Sequence, residues 1–185
     1  MNYPMTSIFI ALLLLLPIGL VAPAQGEEFF NCPKSVALED FKSKQVWQMD
    51  LRNLIVRGKP ELKELANLQM ELQVTLAFAR KEVIGYLLER QPDRIVTDQG
   101  LSKFSNFDRS EQDGDKFAAK SEKNRKLVES IEKLKLANDS HPGWGKMRAY
   151  TNEKLGKSDE FKSLLTRFMA DQKQVAALLD QCPTD

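Results

Sequence analysis

The stretch that decides the fold is 158–183, SDEFKSLLTRFMADQKQVAALLDQCP. Phe161, Leu165, Phe168, Val175, Leu179 and Cys182 recur at steps of three, four and seven residues, which gathers them on one face of an α-helix. The last helix is expected from Ser158 to Cys182. Pro183 cannot continue the helix. A cysteine therefore closes the apolar stripe of the last helix. Its only counterpart is Cys32, in NCPKS (31–35), which is also followed by a proline.

One cysteine pair in a chain read as exported implies an intramolecular disulfide, with an intermolecular bond or two free thiols as the rival readings. Neither cysteine belongs to a Cys-x-x-Cys motif, which argues against an oxidoreductase. A bond from Cys32 to Cys182 makes the first and last helices antiparallel. The fold class that satisfies it is all-α: an antiparallel bundle of four long helices plus one or two short ones, closed end to end by the disulfide.

Working outward, the first helix is expected from Ser35 to Arg57, capped by Ser35, with Phe41, Trp47, Leu51, Leu54 and Ile55 as its stripe. Gly58 and Pro60 stop it and start the next. The second helix, Pro60 to about Arg90, repeats Leu65, Leu72, Ala79 and Tyr86 every seven residues, with Leu76 and Val83 between them. Met70, Val74, Phe78, Ile84 and Leu88 give it a second apolar face, so it should be central. The third is expected from Asp115 to Ala137 with the stripe Phe117, Leu127, Ile131 and Leu134, and with Glu122–Lys126 and Glu129–Lys133 as favourable pairs four residues apart. A short helix, Trp144 to Leu155, links it to the last. Residues 91–114 read as a long irregular connection in which Leu101, Phe104 and Phe107 are spaced like a helical turn.

Residues 1–26 have the layout of a signal peptide, with an apolar run from Ile8 to Ala22 and small residues at Ala22-Pro23-Ala24 and Ala24-Gln25-Gly26. No Lys or Arg precedes the run, and an uncleaved anchor is the competing reading. Cys32 lies too far past either cleavage point to be a lipidated cysteine. The expected domains are thus the leader, 1–26, and one helical domain, 27–185, secreted or periplasmic and without a stable membrane span after leader removal.

The 27 basic and 26 acidic residues, net charge +1, speak against a nucleic-acid binder. Their distribution is uneven. Residues 116–157 carry 11 basic and 5 acidic side chains, the mark of a mildly basic face for an anionic partner or of an ordinary solvated surface.

Catalytic motifs are missing. There is no Gly-x-Ser-x-Gly turn, no phosphate-cradling glycine loop, and one histidine only. The acidic run Asp108, Glu111, Asp113, Gly114, Asp115 resembles part of a calcium loop, but Arg109 and Lys120 fall at the first and twelfth ligand positions, where acids are needed. A solvated acidic loop explains it. No cofactor and no metal site is expected. Asn138-Asp139-Ser140 is a glycosylation sequon in an expected loop.

The expectation is a non-catalytic exported protein that binds another macromolecule, a protein or envelope component; oligomeric state is left open. Phe104, Phe107, His141, Trp144 and Arg148 are the candidate contact residues, because aromatic and arginine side chains in irregular segments make good interface anchors. For the segment 141–148 the alternative is a plug at the end of the bundle. A second function reading is a carrier of an apolar small molecule or lipid, lined by Phe78, Tyr86 and Leu88.

Overall fold

The structure is a computed structural model that describes residues 25–90 and 111–183. Residues 1–24, most of the expected leader 1–26, and most of the connection 91–114, including Phe104 and Phe107, lie outside the described residues. Among the described residues there are six α-helices and no strand: α1 (Gln25–Gly58), α2 (Lys63–Leu88), α3 (Glu111–Lys120), α4 (Glu122–Asp139), α5 (Trp144–Glu153) and α6 (Asp159–Asp180). Single 3₁₀ turns, Pro60–Leu62 and Leu155–Lys157, precede α2 and α6. No described helix is long and apolar enough to cross a membrane.

Cys32 and Cys182 are bonded, with Cα atoms 5.6 Å apart. The bond ties the first part of α1 to the residue just past α6. Further along, Gln172 donates to Asp40 and Ser43, and Arg167 pairs with Asp50. Rising numbers on one helix meet falling numbers on the other, so α1 and α6 are antiparallel. The same logic holds for α1 and α2, through Lys34–Glu89 and the edge-on Phe41–Phe78 pair. It holds for α2 and α4, through Lys123–Glu82 at one end and His141–Glu64 at the other. Packing is thus α6 on α1, α1 on α2 and α2 on α4, whereas α4 and α6 share no extensive contact.

Two apolar clusters hold the ends. The first joins Val36, Ala37, Val83, Ile84, Leu87, Leu88, Phe117, Val175, Leu179 and Cys182. The second joins Ile55, Leu62, Leu65, Ala66, Met147 and Leu155, with Trp144, Tyr150 and Phe161 at its margin. Between them Trp47 of α1 stacks on Phe168 at 4.8 Å and tilts against Phe161 at 6.1 Å.

Four expectations are corrected. First, α1 does not begin at Ser35. The helix runs through Cys32 and Pro33, and Ser35 is an exposed interior residue. Proline costs the helix one hydrogen bond, but its side chain is fully buried, and the turn that carries it presents Cys32 to Cys182. Second, the third helix is two. Ser121 adopts extended backbone, and its hydroxyl accepts from the Asn124 amide at 3.1 Å. Asn124, 8% exposed, donates from its side chain to the Phe117 carbonyl, which cements the break. Glu111 to Asp115, read as a loop, already belong to α3. Third, Leu164 and not Leu165 is buried in α6; Leu165 is 37% exposed. Fourth, Asn138 of the sequon is in the last turn of α4 at 5% exposure, where a glycan has no room.

Gly58 carries a requirement that its role as a helix stop does not reveal. A Cβ added there would lie 2.0 Å from the Tyr150 hydroxyl and 3.1 Å from the ring carbon that bears it. Gly58→Ala should therefore destabilise the protein by about 1 kcal/mol or more, although alanine is the better helix former. Adding Tyr150→Phe should restore part of the loss in chemical denaturation.

Candidate functional site

The deepest concentration of cationic and aromatic side chains lies beside the disulfide end, where α1, α2 and the α3–α4 junction meet. Here a cleft of about 410 Å³ is lined by Lys34 and Leu38 of α1, by Lys81, Glu82, Gly85, Tyr86 and Glu89 of α2, and by Phe117, Lys120, Ser121 and Asn124. Helical periodicity explains the wall from α2 and its C-cap: residues 82, 85 and 89 recur at steps of three and four and share a face. Gly85 leaves that wall low, since a Cβ there would meet nothing within 4 Å.

Two aromatic rings on α2 each carry two cations. Tyr86 has the Arg90 guanidinium 4.7 Å and the Lys120 ammonium 5.0 Å from its ring centre, and it meets Phe117 edge-on. Phe78 has Lys81 at 4.6 Å and Lys123 at 6.0 Å. Cations are attracted to ring faces, more so when partly desolvated. The break at Ser121 places Lys120 and Lys123 over these rings from opposite sides of the junction.

Two carboxylates answer four lysines here, Lys34, Lys81, Lys120 and Lys123. Glu89 pairs with Lys34 at 3.0 Å and with Lys120 at 3.7 Å. Glu82 pairs with Lys81 at 2.6 Å and with Lys123 at 3.4 Å. The Lys34 hydrogen bond holds the Glu89 carboxyl below the usual glutamate range, against slight desolvation and with help from Lys120. For Glu82 burial pushes upward, but Lys81 and Lys123 outweigh it and the net direction is down. Both groups are depressed in the folded state, so what they contribute to stability is present above the ordinary glutamate pKa and is lost as pH falls through the folded one.

Two further grooves run along α1 and α6. One, of about 770 Å³, sets Asp50, Asp159 and Glu160 against Arg57 and Arg167. The other, of about 250 Å³, sets Glu39 and Asp171 against Lys42. Of these three grooves, the one beside the disulfide is lined by more cations than carboxylates.

The residues proposed from sequence fall elsewhere. His141 and Trp144 lie at the opposite end. The Trp144 indole packs on the second apolar cluster and donates to the Asn138 carbonyl. His141, 19% exposed, accepts from the Gly143 amide at 3.0 Å and has Glu64 3.9 Å away. Arg148 is exposed on α5. This segment is built as an end plug, with Arg148 as its outward residue. Of the proposed carrier lining, Leu88 is fully buried in the core, while Phe78 and Tyr86 sit under cations.

Sequence reading missed Lys34, Lys81, Lys120 and Lys123 because their convergence needs four helices. The basic excess of 116–157 carried the one signal that pointed there. Among the described residues, no cluster of histidine, cysteine, aspartate or glutamate could hold a metal ion. Comparison with protein-family models, with curated proteins and with solved structures gives no match to this chain.

Proposed function

We propose that the protein is an exported, non-catalytic helical module that binds an anionic partner protein in the periplasm or extracellular space through the cleft beside the disulfide. Its scaffold is read as an antiparallel bundle of four long helices, the third interrupted at Ser121. The observation that carries the reading is the charge in and beside the cleft: Lys34, Lys81 and Lys120 line it against Glu82 and Glu89, and Arg90 and Lys123 add positive charge at its margin, over the Tyr86 and Phe78 rings. Lys81, held over Phe78 with its side chain 22% exposed, is partly desolvated and attracts anions more strongly than a lysine on an open face.

Two features favour this reading over a lipid carrier. The cleft is open and rimmed by charge, and Leu88, one of the three residues of the expected carrier lining, is sealed in the core. The contact surface thereby moves from segment 141–148 to the cleft, because Trp144 is engaged in packing.

Calorimetric titration with poly-L-glutamate tests the reading. Binding should weaken steeply with salt, as screening requires. Lys120→Ala with Lys123→Ala should weaken it at least tenfold. Gly85→Leu, which fills the cleft without changing charge and improves helix propensity, should do the same. Trp144→Ala should leave affinity unchanged. Absence of binding, or equal binding by the cleft variants, overturns the proposal.

A further inference from the structure

The geometry points to an extended acidic peptide as the occupant of the cleft, with two carboxylates three residues apart that displace Glu82 and Glu89 from their lysines. This rests on the proposed binding function and specifies its ligand.

Glu82 and Glu89 act as resident stand-ins. Each is held by two lysines contributed from different segments: Glu82 by Lys81 and Lys123, Glu89 by Lys34 and Lys120. The four ammonium groups are thus already arranged as two carboxylate-binding pairs. The pairs are also accessible. The Lys34, Lys120 and Lys123 side chains are 36%, 43% and 71% exposed, and Glu89 is 53% exposed, so it can swing out to solvent at little cost. The solvent-exposed pairs of Glu89 are weak, and a ligand needs to supply only slightly more to replace them; Lys81 and Glu82 are 22% and 23% exposed, so the second carboxylate of the ligand displaces a more sheltered pair.

Spacing selects the ligand conformation. Seven residues separate Glu82 from Glu89 on α2, a rise of about 10 Å along the helix axis. In a polyproline II strand, residues three apart lie on the same face about 9 Å apart. A Glu-x-x-Glu segment in that conformation matches both pairs. A β-strand does not, because residues three apart point to opposite faces. The cleft is a concavity with α1 on one side and the α3–α4 junction on the other, which a flat bilayer cannot follow inward. Lysines act as point charges and suit single carboxylates; the arginine forks that favour phosphate are represented only by Arg90, stacked on Tyr86.

The test uses the full mature chain and two blocked peptides of equal composition, Gly-Glu-Pro-Pro-Glu-Gly and Gly-Pro-Glu-Glu-Pro-Gly, titrated at low salt. The spaced peptide should bind at least threefold tighter than the adjacent one. Glu82→Gln with Glu89→Gln keeps shape while removing both competitors, and it should tighten the spaced peptide at least fivefold. Unchanged or weaker binding by this variant, or equal affinity for the two peptides, overturns the inference while poly-L-glutamate binding still upholds the general function. Failure of poly-L-glutamate as well overturns both. Binding of phosphatidylglycerol vesicles without binding of either peptide also overturns it, in favour of a lipid surface.

Discussion

Replacing Cys32 and Cys182 together by serine should lower the unfolding free energy by as much as about 5 kcal/mol. The bond closes a loop 150 residues long, and the chain-entropy model assigns roughly 5 kcal/mol to the denatured-state freedom such a loop removes. For a domain of this size each kcal/mol is worth about 2–4 °C in Tm, so the thermal midpoint should fall by roughly 10–20 °C. The native fold gives a second reason for a large effect. Both cysteines belong to the first apolar cluster, with Val36, Leu179 and Phe117 around them, and serine hydroxyls there would lose water without gaining designed partners. The measurement is denaturant unfolding of the double serine variant against the oxidised protein, with the reduced wild-type protein as a bridge between them. A loss below about 1 kcal/mol would show that the helices hold this end without the bond. The cleft should suffer too, since Tyr86 and Phe117 belong to that same cluster. Peptide affinity should drop in the serine variant even at temperatures where it remains folded.

Leu179→Ala and Leu165→Ala should differ by several kcal/mol although both change the same residue type on the same helix. Leu179 is 1% exposed in the first cluster, and deletion of a buried leucine to alanine costs about 2–5 kcal/mol through lost transfer energy and the cavity left behind. Leu165 is 37% exposed, and its truncation should cost less than about 1 kcal/mol. Leu164→Ala, at 8% exposure, should behave like the buried site. The urea midpoints of the three variants are the readout. Equal losses at 164 and 165 would mean that α6 meets α1 through a different face.

That pair of leucines shows where periodicity stops being informative. Leu164 and Leu165 are adjacent, and either completes a stripe with Phe161 and Phe168 at acceptable spacing. Which one is buried depends on how α6 rolls against α1. The roll is set by contacts far apart in sequence: Trp47 stacked on Phe168, Arg167 paired with Asp50, Gln172 bonded to the buried Asp40. Similarly, Ser35 is a fair helix cap by local rules, yet α1 passes through it because the turn before it is needed to meet Cys182. Ser121 was read as a helix interior because its flanks, Phe117 and Leu127, suit one continuous stripe; the side chain of Asn124 reaching the Phe117 carbonyl is what stabilises two helices instead.

By itself, the sequence determined the helical class, the cysteine pairing, the boundary at Gly58 and Pro60, and the apolar faces of α2, because each depends on periodicity, on local backbone preference or on the count of one residue type. Tertiary structure alone decided the broken third helix, the roll of α6, the burial of Asn138 and the cleft. Lys34, Lys81, Lys120 and Lys123 are ordinary charges along the chain, and they form two carboxylate-binding pairs only when four helices bring them around Glu82 and Glu89. Convergence of charge is a property of distance in space, and distance in space is what a linear pattern does not contain.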